Sequence, residues 1–187
     1  MTHPAGISTE NHVKRHPESP QWYQTDPALF QAEIRAMRKE LKQPDLQPQF
    51  MSDGRMYWLV KFGPNPNSDN LTREYTLALI YNNDHPAARH GCPVKPYLTE
   101  PTVQQLQKEM NRIPALSDMS LPHTVRDASG HIYLDTSSAT DIHDGFNISV
   151  ISAAAILRRA YRWLVMYESA LRDPEGDGKA FFGRDIL

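Results

Sequence analysis

Cys92 is the one thiol of the 187-residue chain, and His85 and His90 stand shortly before it in YNNDHPAARHGC. A thiol beside a histidine can become a thiolate nucleophile, so Cys92, aided by either histidine, is an alternative catalytic residue. The plainer reading is a small residue at a loop or strand edge beside Pro93, because free cysteine commonly behaves as a small buried apolar group. As a metal site the same stretch reads H-x4-H-x-C, which lacks a fourth ligand and the usual spacing. One thiol makes no internal disulfide and excludes zinc sites that need two or more thiolates. No metal and no cofactor is expected.

The second segment with chemical content is HTVRDASGHIYLDT, residues 123–136. It has the outline of an active site: a leading His123, a turn at Ser129-Gly130, a short apolar strand through Tyr133, and Asp135 at its end. No strong nucleophile lies inside it. His123 can be read as a base, and a buried structural histidine is the plainer reading. Asp135, Asp141, His143 and Asp144 form a polar cluster; a solvated loop with helix-capping duty explains it better than a hydrolytic metal site. Ser137 and Ser138 lie near His143, but no G-x-S-x-G elbow, phosphate loop or G-x-G-x-x-G occurs. Arg158, Arg159 and Arg162 offer a basic face, which a solvated helix side explains as well.

Elements must hold these residues. Asp26 and Pro27 suit a helix start, and Phe30, Ile34, Met37 and Leu41 recur on one helical face until Pro44. LQPQFM, Ser52-Asp53-Gly54 and MYWLVKF predict a hairpin. After a loop over 63–70, LTREYTLALIY alternates along 71–81 with only Arg73 out of pattern. PVKPYL, 93–98, predicts an edge strand because of its prolines. A short helix is expected over 101–112, and a long one from Ser149 to Asp173-Pro174 on the stripe Ala153, Leu157, Ala160, Leu164, Tyr167 and Leu171. Residues 1–24 read as a flexible arm with Trp22 and Tyr23 as docking points. Residues 174–187 read as a loose tail with Phe181 and Phe182 in that role. Strands grouped between helices predict an α+β domain over 25–173.

Twenty Lys and Arg against 22 Asp and Glu give a formal net charge of −2. No basic excess draws such a chain to nucleic acid or an anionic membrane. No run of about 18 apolar residues and no charged-then-apolar leader is present, so a cytoplasmic protein is expected. The oligomeric state and the source are left open.

The order of elements and the 123–136 segment together resemble the ubiquitin-conjugating-enzyme (UBC) fold. There an N-terminal helix precedes a four-stranded antiparallel meander, a Pro-rich stretch and a His-Pro-Asn motif. The catalytic Cys follows ten residues after that His, in a segment like Gly-x-Ile-Cys-Leu-Asp. Here His123 is followed by Gly130 at +7 and Tyr133 at +10, within Gly130-His131-Ile132-Tyr133-Leu134-Asp135. YNNDHPAARHGCPVKPYL is similar to the family's strand and Pro-Pro-x-Val stretch, and Trp163-Leu164-x-x-Tyr167-Glu168 resembles bacterial members of antiphage conjugation operons. Two departures stand out. Tyr133 occupies the Cys position, and Val125 stands where the Asn would be. The resemblance therefore implies a UBC-like pseudoenzyme that binds a ubiquitin-like protein or an activating enzyme rather than carrying a thioester. The exposed side of the first helix, the 63–70 loop and the cleft beside Tyr133 and Asp135 are its expected surfaces. The alternative is an active conjugating enzyme that uses Cys92, or whose natural cysteine has been exchanged.

Overall fold

A computed structural model describes residues 20–64, 71–87, 92–135, 142–143, 148–178 and 180–181. The element order is α1 (Trp22–Thr25), α2 (Pro27–Leu41), β1 (Gln49–Phe50), β2 (Met56–Phe62), β3 (Tyr75–Tyr81), β4 (Val94–Glu100) and α3 (Val103–Met110). Then come a 3-10 turn Pro114–Leu116, β5 (Thr124–Arg126), β6 (Ile132–Leu134), β7 (Ile142–His143), β8 (Ser149–Val150) and α4 (Ala153–Arg172), with a π-helical turn Pro174–Gly178 at the end. The class is α+β, as the grouping of strands between helices predicts. Strands β1 to β4 form one antiparallel meander in sequence order. Pro96 lies in β4, at the end of that order, where a missing N–H costs least.

Local chemistry explains the boundaries. Asp26 accepts from the N–H of Leu29 and Pro27 opens α2. Thr102 and Gln105 close a capping box at α3. Ser152 accepts from the N–H of Ala155, so α4 starts after Ser152 rather than at Ser149, which belongs to β8. β3 starts at Tyr75, four residues later than the alternation suggests, because the N–H of Thr72 is donated to Glu168 Oε2 at 2.7 Å instead of to a ladder. β1 is only two exposed residues long, much shorter than LQPQFM predicts.

The sheet buries both faces. On one, Met56, Trp58, Val60, Leu79 and Tyr81 meet α2 and the first turns of α4. Leu77 and Leu98, farther along, meet α3 and the rest of α4 through Leu106, Trp163 and Tyr167. The α4 stripe is buried as expected from Ala153 to Tyr167. On the other face Tyr57, Ala78, Ile80 and Tyr97 pack with Met51 and Tyr133, the alternation that strand geometry demands. Trp22 and Phe181 are both buried, 4% exposed each, so the packed unit reaches beyond 25–173 on both sides. Phe181 meets Trp163 edge-on at 5.7 Å; Phe182 lies outside the described residues. Among the described residues no helix is long and apolar enough to cross a membrane.

Candidate functional site

The segment 123–135 is a hairpin laid beside the sheet. β5 and β6 pair so that Val125 faces Tyr133 and Thr124 faces Leu134, and β6 lies against β4. Asp127 builds the turn. Its Oδ1 accepts from the N–H groups of Ser129 and His131 at 2.8 and 2.9 Å, and its Oδ2 accepts from the Tyr97 hydroxyl at 2.9 Å. Gly130 takes φ +87°, which glycine adopts without strain, and nothing lies within 4 Å of where a Cβ would be.

Tyr133 is buried, its ring 5.8 Å from that of Tyr97 and 5.1 Å under the Lys95 ammonium. Burial pushes its phenol up, and the charges of Asp135, Cys92 and Asp127 push the same way. At neutral pH it is a phenol, not a nucleophilic phenolate. Val125 is 37% exposed and has no amide to offer a developing oxyanion. His123 is only half-buried, which corrects the expectation of a buried histidine. Its backbone carries the structural duty: at φ 52°, its carbonyl accepts from the N–H of Asp135 at 2.7 Å.

Cys92 is 2% exposed, and its Sγ donates to the Val94 carbonyl at 2.8 Å. Burial pushes the thiol up to about 11, with Asp135 adding to the rise and Lys95 and Arg159 opposing it. A reactive thiolate needs access and a cationic surrounding that lowers its pKa; this site has the reverse balance. That favours the small core residue over the thioester nucleophile. Folding does bring Cys92, Tyr133 and Asp135 into one electrostatic neighbourhood, which their separation in sequence conceals. His85 makes its contacts elsewhere. His90, Ser137, Ser138, Asp141 and Asp144 lie outside the described residues, as do residues 65–70 of the 63–70 loop and the side chain of His143. Among the described residues no group of three or more His, Cys, Asp or Glu is placed to hold a metal.

A second constellation was missed by sequence reasoning. Glu33 is fully buried on α2. Its Oε2 accepts from the Tyr81 hydroxyl at 2.6 Å and from the N–H of Ala153, the first residue of α4, at 3.1 Å. Trp58 in turn donates to the Tyr81 oxygen at 3.1 Å. Glu33 Oε1 lies 3.3 Å from His85 Nε2, an ion-pair distance outside hydrogen-bond geometry. The His85 ring sits edge-on to Trp22 at 4.5 Å and to Tyr81 at 4.9 Å. Trp22 Nε1, Glu33 Oε1, both His85 nitrogens and the Asn83 amide have no hydrogen-bond partner among the described residues. The signal was present: Leu29, Glu33 and Met37 step by four along one buried face of α2. With no exposed side-chain surface on Glu33 or His85, the cluster ties α2, β3, the 82–87 loop and the start of α4 together rather than meeting a substrate.

A third network joins β3, α3 and α4. Arg73 pairs with Glu109 through two bonds of 3.1 and 2.6 Å and donates to the Tyr75 hydroxyl at 3.0 Å. Tyr75 donates to the buried Glu168 at 2.9 Å. Arg73 thus falls out of the strand pattern because it clamps α3. Of Arg158, Arg159 and Arg162 on α4, Arg158 pairs with Glu40 of α2 at 2.6 Å.

No family model, curated protein or solved structure matches the chain.

Proposed function

We propose that this chain is a ubiquitin-conjugating-enzyme-like domain without the usual catalytic cysteine, a cytoplasmic protein-binding component of a bacterial ubiquitin-like conjugation or antiphage pathway. One observation carries the reading. The residue ten positions after His123 is a buried tyrosine in a hairpin beside β4, downstream of a helix and a four-stranded meander. Thioester transfer needs a thiolate at that position. Tyr133 offers a phenol whose ionisation is made harder by burial. Partner binding without transfer is the function that such a site leaves, and the partner is a ubiquitin-like protein or its activating enzyme.

The test mixes the purified chain with a ubiquitin-like protein and an activating enzyme encoded beside it, with ATP. Binding is followed by calorimetry, and adducts by non-reducing gel and mass spectrometry. Saturable binding without an adduct supports the reading. No binding of either protein below about 1 mM rejects it. The rival is an active enzyme that uses Cys92, which shares a neighbourhood with Tyr133 and Asp135; a reductant-sensitive adduct on Cys92 would establish that rival.

A further inference from the structure

The C-terminal turn of α2, the end of β2 and the first half of α4 enclose a cleft of about 330 Å³. Its floor is apolar: Phe62, Leu157 and Tyr161, with the Phe62 and Tyr161 rings 5.0 Å apart, and Leu41 as one wall. Its rim is charged by Glu40, Arg158 and Arg162. Leu157 with Tyr161 and Arg158 with Arg162 are two neighbouring i,i+4 pairs of α4, and both line the cleft. The sequence therefore places two guanidinium groups beside two apolar floor residues.

Charge and size say what fits. Two arginines against one glutamate leave the rim net positive. The Glu40–Arg158 bridge is open to water, with Arg158 49% exposed, so it contributes roughly 0–1 kcal/mol and can exchange for an incoming carboxylate. Arg162 is exposed and makes no ion pair among the described residues. The volume is at the lower limit for a small-molecule pocket, enough for one large side chain and not for an extended chain. We infer that this cleft docks an acidic peptide segment of a protein partner, seating one large apolar side chain over Phe62, Leu157 and Tyr161 and setting its carboxylates on Arg158 and Arg162. The inference stands apart from the conjugation reading, because it uses neither Tyr133 nor any ubiquitin-like partner.

The probe is a fluorescein-labelled peptide, Asp-Glu-Trp-Glu-Asp-Glu, titrated with the full chain by fluorescence anisotropy. Two control peptides replace the Trp by Ser or the acids by Lys. Saturable binding is expected below about 1 mM, weakening as salt is raised. Each control peptide is expected to bind at least about tenfold more weakly. Arg162→Glu, an exposed change that leaves the core untouched, should cost on the order of tenfold in affinity, with an unchanged urea midpoint confirming the fold. The inference is overturned by an absence of saturable binding, by equal binding of either control, or by unchanged affinity in Arg162→Glu. It is also overturned if sedimentation shows self-association that Arg162→Glu dissolves, since the occupant is then a second copy of the chain.

Discussion

Glu33→Ala tests whether a buried charge cluster organises this fold. The carboxylate is fully buried and accepts from two donors, the Tyr81 hydroxyl and the N–H of Ala153, with His85 Nε2 a further 3.3 Å away. Removing it leaves two buried donors without an acceptor, each costing about 1–3 kcal/mol, and takes away the carboxylate that faces His85 Nε2. Breaking a buried pair by deleting one member typically costs about 3–5 kcal/mol, in line with that sum. With a urea m-value of about 2 kcal/mol/M, the unfolding midpoint should fall by about 2 M. Glu33→Gln separates shape from charge. Its carbonyl can replace Oε2 and accept from the same two donors, so only the charge opposite His85 is lost and the cost should be smaller, about 1–2 kcal/mol. His85→Ala and the double variant close a cycle, in which a coupling of about 1 kcal/mol or more is expected between contacting residues. An Ala variant within about 0.5 kcal/mol of wild type would falsify the claim that this carboxylate joins α2 to α4, and a coupling indistinguishable from zero would remove His85 from the tie.

Three further outcomes follow from the same geometry. The Cys92 thiol is held up to about 11 from an ordinary 9, so its stabilisation is intact below about pH 9 and is lost as pH rises through 11, by about 2–3 kcal/mol in all. The stability difference between wild type and Cys92→Ala should shrink over that window, and a thiol reagent should label Cys92 only on unfolding; rapid stoichiometric labelling of the native chain refutes its burial. Gly130→Ala meets no atom within 4 Å but must adopt φ +87°, so chemical denaturation should report a loss of about 1–2 kcal/mol; no loss would mean the turn takes another conformation. Glu168→Ala abandons the N–H of Thr72 and the Tyr75 hydroxyl and should cost about 2–4 kcal/mol, measured in the same way, whereas a near-neutral result places that network outside the cooperative core.

What the sequence shows and what it hides differ by a physical criterion. α4 was legible because a single buried stripe repeats over five turns, and Ala160 and Leu164 sit where the rhythm puts them. α2 was legible as a helix and in half of its stripe, since Ile34 and Met37 are buried as the spacing predicts. Phe30 and Leu41 belong to the apolar stripe, yet they are only partly buried: Phe30 meets Trp22 of α1, and Leu41 borders the cleft by α4. The buried face also takes in Leu29 and Glu33, which the stripe leaves out. A glutamate reads as solvent-facing because an unpaired buried carboxylate is costly. Its partners Tyr81, His85 and Ala153 come from three other segments, and no local pattern announces them. Arg73 was the informative exception, the one residue out of alternation, and it marks the point before which the chain is not strand at all.

The same criterion decides how the 123–135 hairpin is understood. Sites built for chemistry commonly keep strain or unsatisfied polar groups that the rest of the fold must hold in place. Here the hairpin is satisfied almost throughout. Asp127 fixes its turn and holds Tyr97, Tyr133 lies between Tyr97 and Lys95, and the carbonyl of His123 is taken by Asp135. Its one backbone irregularity is His123 at φ 52°, a conformation that histidine tolerates better than most residues. Among the described residues the hairpin holds one orphaned buried side-chain atom, the Ser129 hydroxyl, whereas several gather around Trp22, Asn83 and His85. Aromatic packing and one aspartate therefore account for the shape of the hairpin, with no reacting group required. The Tyr133 ring contributes to that order by packing between Tyr97 and Lys95.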